Sequence, residues 1–257
     1  MTMAPRARKA LDPLVAEGPI LAQFAEGRGE DLVISFSSIG RRRNEMPPPE
    51  FVGTAIGKAG RHALFVSDIS RSWGNAPEFS SALGEAVAQV KARHRIERIT
   101  AIGVSMGAFC ALAAQEIIPL HAVVAMSSQY SVLRRHVGPE GRWRFWTRRI
   151  PRPLAYPVAP LPQKGGAQVT LLHGMQDDLA HARAFAPQWG VDHYLFPELG
   201  HSTLGPYLKT VGQLAPIVDA AVAGDRRVLA RAVRGAGGDF RARLLAVDEA
   251  PQTHSTP

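Results

Sequence analysis

The feature that most limits how this chain can fold is a recurring run of five or six apolar and β-branched residues, separated by longer stretches of helical or loop character. The runs are ILAQF at 20–24, LVISF at 32–36, HALFVS at 62–67, ITAIGV at 99–104, HAVVAM at 121–126, QVTLLH at 168–173 and DHYLF at 192–196. Runs without strict polar alternation suit strands buried on both faces, the condition of a parallel sheet covered by helices. Between them, 77–94 has amphipathic helical periodicity with Pro77 near its start, 106–115 is small and helix-forming, and 178–187 and 203–223 read as further helices. This alternation predicts an α/β protein with a mostly parallel central sheet flanked by helices. With 257 residues, 46% of them hydrophobic, the chain can bury one full core, so one large domain is expected.

The run 99–104 leads into Gly103-Val104-Ser105-Met106-Gly107 and then into the Ala-rich stretch 106–115. A glycine on each side of a serine fits a chain that turns too sharply for larger side chains. A strand before the turn and a helix after it would push the Ser105 hydroxyl outward, as in the G-x-S-x-G nucleophile elbow. The pentad alone also fits an ordinary turn; its flanks favour the elbow. A serine hydroxyl needs a base to take its proton and a carboxylate to orient that base. Asp177 and Asp178 follow the run 168–173, and His201 follows the run 192–196. All three positions lie beyond strand carboxyl ends, where open α/β sheets gather their ligands. Of the other histidines, His62, His121, His173 and His193 lie in or beside strands, His94 and His181 on helices, His136 in an insertion and His254 in the tail. Only His201 combines a Gly-His turn with a place after the last strand.

Through GVSMG, LLHGMQDD and ELGHS the chain resembles the α/β-hydrolases over roughly residues 18–223. The resemblance implies an α/β-hydrolase fold and a serine hydrolase of the esterase type that acts through an acyl-enzyme. Its acid commonly stands three residues after the glycine ending the penultimate strand, which selects Asp177 after Gly174, with Asp178 next. The implied catalytic residues are Ser105, Asp177 and His201. Two hydrogen-bond donors must face the developing oxyanion. One is expected from the Met106 N–H, the other from the SFSSIG loop, at Ser37 or Ser38, since the His-Gly common there in relatives is missing.

The interval 128–166 breaks the strand–helix rhythm. It carries Trp143, Phe145, Trp146 and Tyr156 among prolines at 139, 151, 153, 157 and 160, and over 131–166 it sets eight basic side chains against the single acid Glu140. A basic, aromatic insertion before the penultimate strand suits a lid. Arg142, Arg144 and Trp146 within it are expected at the substrate pocket; Arg71 and Trp73 from the loop 67–75 are candidates for its rim, with a packed core tryptophan the favoured reading of Trp73. Arginine pairs anions bidentately and aromatic faces stack on rings, so if the insertion faces the pocket the expected small-molecule or saccharide ester is anionic or sugar-like. A second basic run, Arg41-Arg42-Arg43, and the net charge of +8 support the alternative of a noncatalytic protein that binds an anionic polymer, nucleic acid or membrane. On the enzyme reading no stable nucleic-acid partner is expected.

The single cysteine, Cys110, reads as a core residue and excludes an intrachain disulfide or a cysteine-based zinc site. Neither a metal nor a cofactor is expected. Residues 1–17 read as an N-terminal extension without an uninterrupted apolar leader core, 18–224 as the hydrolase domain, and 225–257 as a C-terminal helix with a disordered tail. No stretch is long and apolar enough for a membrane span, and a cytoplasmic location is expected.

Overall fold

The computed structural model describes residues 10–248. Nine strands form one sheet: β1 (Asp12–Glu17), β2 (Ile20–Ala25), β3 (Asp31–Phe36), β4 (His62–Asp68), β5 (Arg98–Val104), β6 (Ala122–Met126), β7 (Gln168–Gly174), β8 (Val191–Phe196) and β9 (Asp239–Phe240). Their spatial order is β1-β2-β4-β3-β5-β6-β7-β8-β9. The run from β4 to β8 is parallel throughout, while β1, β2 and β9 attach antiparallel at the two edges. The helices are α1 (Val52–Ile56), α2 (Phe79–Arg93), α3 (Met106–Ala113), α4 (Arg134–Val137), α5 (Arg144–Thr147), α6 (Leu179–Ala184), α7 (Leu204–Thr210), α8 (Leu214–Ala223), α9 (Arg226–Gly235) and α10 (Arg241–Asp248).

The central strands are apolar at consecutive positions because successive side chains enter two different cores. Ile34, Ala101, Val123 and Leu171 join α2, α3 and the insertion on one face. Their neighbours Val33, Ile102, Val124 and Leu172 join α7, α8 and α9 on the other. Helix α2 turns Phe79, Ala82, Leu83, Ala86, Val87 and Val90 inward at helical spacing. Helix α3 is buried on every side, Cys110 included, which explains its uninterrupted small and apolar composition.

Each run expected to be a strand is one. Two strands escaped the reading, both at edges where no second apolar layer imposes a continuous run. Residues 12–17, assigned on sequence to an extension, form β1 and pair with β2. The segment after 225 holds α9, β9 and α10 rather than one helix, and α9 is capped by Asp225, whose carboxylate accepts the N–H groups of Arg227 and Val228. The expected helix 203–223 is two, α7 and α8. The tail expected to be disordered lies, from residue 249, outside the described residues. The insertion 128–166 contains only the short helices α4 and α5, and Trp143, Ile150 and Ala159 anchor it in the core of the α2–α3 face. Among the described residues no helix is long and apolar enough to cross a membrane.

Candidate active site

Ser105 stands between β5 and α3 at φ 56° and ψ −125°, a conformation that non-glycine residues rarely hold. Both neighbouring glycines are required by close approach: a Cβ on Gly103 would lie 2.2 Å from the carbonyl oxygen of Gly107, and one on Gly107 would lie 2.2 Å from that of Phe36. The sharp turn lifts the hydroxyl off the sheet, and Ser105 Oγ donates to His201 Nε2 at 2.8 Å. Both residues are nearly buried, at 6% and 9% exposure, so water has little access to the pair.

The turn after β8 delivers His201. Its Nδ1 meets both carboxylate oxygens of Asp178, at 2.9 and 2.8 Å, so the proton sits on Nδ1 and leaves Nε2 free to accept from Ser105. Burial alone would raise the Asp178 carboxyl pKa. The hydrogen bond from His201, with the charges of His201, His173 and Arg142, outweighs it and holds the group below its ordinary range. Asp177, the acid favoured on sequence, is not the partner of the imidazole. Its Oδ1 accepts the backbone N–H of His201 at 2.5 Å, and its side chain is half exposed. The turn is tied to the next loop by Met175 N–H to Phe196 O and Gln176 N–H to Leu199 O. That places Asp178, at the N-cap of α6, on the buried side. Spacing after Gly174 counts residues and does not report which of two adjacent carboxylates turns inward.

A second group bonded to the Ser105 hydroxyl is Gln129, three residues beyond the end of β6, which sequence reasoning passed over. Its Nε2 donates to Ser105 Oγ at 3.0 Å, and its Oε1 accepts the indole N–H of Trp73 at 2.9 Å. An indole can only donate, so the orientation of the amide is set. The only available signal was position, since Gln129 lies in the loop beyond the carboxyl end of a central strand. Trp73 itself is wholly buried, in line with the favoured reading of a packed tryptophan and against the pocket rim. It is delivered by a loop in which both carboxylate oxygens of Asp68 accept from the N–H and hydroxyl groups of Ser70 and Ser72. Behind Gln129, His173 Nε2–H donates to the carbonyl of Ser128 at 2.9 Å while its Nδ1 accepts from His193 Nε2. Of the non-glycine residues at positive φ, Arg71, Trp73, Ser105 and Ser127 lie in the loops that converge here, as expected where local strain serves a site.

The insertion covers the histidine. The Trp143 ring lies 4.8 Å from that of His201, and the guanidinium of Arg142 lies 4.4 Å above Trp143. Arg142, expected to await substrate, is already engaged: it bonds Glu140 through Nε and Nη2 and stands 3.1 Å from Asp178 and 3.3 Å from Asp177. Arg144 is exposed, and Trp146 is partly buried against the core. Arg71, the other expected rim residue, is fully buried and donates to the carbonyls of Ile39, Ile69, Arg42 and Glu45. It therefore braces the loop bearing the 41–43 arginines. Sequence alone could not foresee this, because an arginine after a strand looks the same whether its partners are ligand anions or buried carbonyls.

The Met106 N–H, at the first position of α3, has no acceptor within its own helix and stands beside Ser105. The two serines expected to supply the second donor are both committed elsewhere. Ser37 N–H donates to Val66 O at 3.0 Å, and Ser38 N–H donates to the Glu50 carboxylate at 3.1 Å. Their hydroxyls are also occupied, that of Ser37 by Pro48 O and that of Ser38 by Glu50.

No protein-family model and no curated protein matches the sequence. Solved structures do match. A hormone-sensitive lipase from a metagenome library aligns at a TM-score of 0.55 and 14% identity, over 86% of each chain. An acetyl xylan esterase from Paenibacillus sp. R4 aligns at a TM-score of 0.51 and 14% identity, over 76% of this chain and 78% of its own. At such identities the likeness is one of architecture. The parallel sheet with its antiparallel edges, the strained serine turn after β5 and the likeness to these two structures agree on one conclusion: this chain has the α/β-hydrolase fold.

Proposed function

We propose that the protein is a serine hydrolase that cleaves esters through an acyl-enzyme. The observation that carries this reading is the unbroken chain Ser105 Oγ–His201 Nε2, His201 Nδ1–Asp178. Ser105 Oγ attacks the ester carbonyl as its proton passes to His201 Nε2, and the electron pair of the carbonyl bond moves onto oxygen, where the Met106 N–H receives it. Collapse breaks the bond to the alcohol, which leaves with the proton from His201. Water then repeats the sequence on the acyl-enzyme and returns Ser105 to its hydroxyl form. Asp178 holds the Nδ1 proton throughout and stabilises the imidazolium. Esterase and lipase neighbours of the same fold agree with an ester substrate.

An anionic or sugar-linked ester fits the surroundings best. The two basic segments separated in sequence meet in space: the guanidinium groups of Arg43 and Arg149 lie 4.3 and 3.8 Å from the Phe145 ring centre, with Arg148 at 5.6 Å. The same convergence is what favours the second reading, a noncatalytic binder of an anionic polymer. A fluorophosphonate probe separates them. Labelling of the wild type that is lost in Ser105→Ala, with hydrolysis of p-nitrophenyl esters lost in parallel, supports the enzyme. Salt-sensitive polymer binding with neither labelling nor hydrolysis supports the binder.

A further inference from the structure

We infer that the side-chain amide of Gln129 supplies the second oxyanion donor, in place of a backbone N–H from the loop after β3. This rests on the serine-hydrolase reading above and assigns to that site a catalytic residue outside its triad. Three observations lead there. The amide nitrogen lies 3.0 Å from Ser105 Oγ, and the oxyanion of a tetrahedral intermediate is bonded to the same carbon as that oxygen, so a donor on one is within reach of the other. The amide cannot present its oxygen instead, because Trp73 Nε1–H occupies Oε1. Finally, the N–H groups of Ser37 and Ser38 are spent on Val66 O and Glu50, which leaves both backbone donors expected from that loop unavailable.

The surroundings are those of a preorganised donor. Gln129 is wholly buried, as are Trp73 and His173. The backbone just before Gln129 is held by the His173 bond to Ser128 O and by Ser127 N–H to Leu172 O. A donor fixed before the substrate arrives needs no reorganisation as charge develops, which is the condition under which such groups contribute most. In the resting state the amide rests on the nucleophile, whose own proton points to His201. As Oγ forms its bond to the carbonyl carbon and loses that proton to His201 Nε2, the carbonyl oxygen takes up the negative charge and becomes the stronger acceptor. The Gln129 N–H then donates to it alongside the Met106 N–H, and on collapse of the intermediate it returns to Oγ or to the acyl carbonyl.

The test uses the full-length protein with a short neutral p-nitrophenyl ester and an aryl trifluoromethyl ketone, which adds to the active serine as a hemiketal. Gln129→Leu keeps the volume and removes the donor; it should lower kcat by on the order of 10²- to 10³-fold with KM little changed. In the ketone adduct, 19F NMR titration should show the hemiketal hydroxyl deprotonating at higher pH than in wild type, a readout that loss of packing would not move in isolation. Trp73→Phe keeps an aromatic ring but removes the indole N–H and frees the amide to rotate, and should shift both quantities the same way by less. Should Gln129→Leu fail to fold, Trp73→Phe decides. Wild-type kcat and an unshifted hemiketal titration in these variants would overturn the inference while leaving the hydrolase reading intact. A wild-type protein inert to both ester and fluorophosphonate would overturn the hydrolase reading, and the inference with it.

Discussion

Two adjacent aspartates divide two tasks around one histidine. Asp178 meets the imidazole from below and is 1% exposed, whereas Asp177 holds the same residue by its backbone and faces solvent. The consequence for substitution is asymmetric. Asp178→Asn should leave the site folded but let His201 adopt the tautomer that cannot accept from Ser105, with a loss of kcat on the order of 10⁴-fold by analogy with other serine triads. Asp177→Asn keeps an oxygen that accepts the His201 N–H, so its effect on kcat should be small. Steady-state rates on a neutral p-nitrophenyl ester check both. The opposite ranking would move the acid to Asp177. Trp143 acts on the same histidine from above: a ring packed on the imidazole excludes water and so strengthens each charge interaction beneath it.

At the scale of the element, the arginines of the insertion face two ways. Arg142 is spent inward on Glu140, Asp177 and Asp178, while Arg144 and Arg148 face solvent on α5 and just after it. Replacing the outer pair, Arg144→Gln with Arg148→Gln, should raise KM for anionic esters by up to about fivefold per arginine, the scale of an exposed ion pair, and leave neutral esters unchanged. Added salt should mimic this effect in the wild type, because exposed charges are screened. Arg142→Gln should instead lower kcat for anionic and neutral esters alike, since it disturbs the carboxylates that hold His201. Equal KM losses for both ester classes in the outer pair would mean that Arg144 and Arg148 support packing rather than substrate charge. The 41–43 loop belongs to the same surface because buried Arg71 ties the carbonyls of Arg42 and Glu45 beneath Trp146.

For the whole molecule, the sheet separates two apolar cores, and the polar groups buried near its carboxyl end make stability depend on pH. Burial pushes the His173 pKa down to about 4 against the hydrogen bond to Ser128 O, and burial likewise lowers His181 and, further, His193. In the unfolded chain an imidazole titrates near 6.5. Between those values the unfolded state binds more protons, so stability is full above about pH 6.5 and declines as pH falls toward 4. His173 alone accounts for about 3 kcal/mol of that decline by pH 4. Asp178 has the depressed-carboxyl sign: its contribution is present above the ordinary carboxyl range and is lost only in more acid solution, as pH falls through its folded value. Urea midpoints at pH 7, 5.5 and 4.5 should fall in order. In His173→Gln, which retains a donor and an acceptor, the slope should be shallower; an unchanged slope would locate the titrating groups elsewhere.

Sequence by itself determined what neighbouring residues decide among themselves. Continuous apolar runs specify strands buried on both faces, and glycines at 103 and 107 specify a turn too sharp for larger side chains. The order of serine, carboxylate and histidine after β5, β7 and β8 then places these side chains at one end of the sheet. Tertiary structure alone decided which way adjacent side chains face and which backbone groups are already bonded. The choice of Asp178 over Asp177 depends on how the loop after β7 is tied to the loop after β8. The loss of Ser37 and Ser38 as donors depends on Val66 and Glu50, and the part played by Gln129 on a tryptophan 56 positions away. The edge strands β1 and β9 were hidden for a related reason: a strand with one paired side and one covered face needs no continuous apolar run. Local sterics and periodicity act over a few residues and are written in order along the chain, whereas hydrogen-bond partners and burial are set by segments that become neighbours only when the sheet has closed around them.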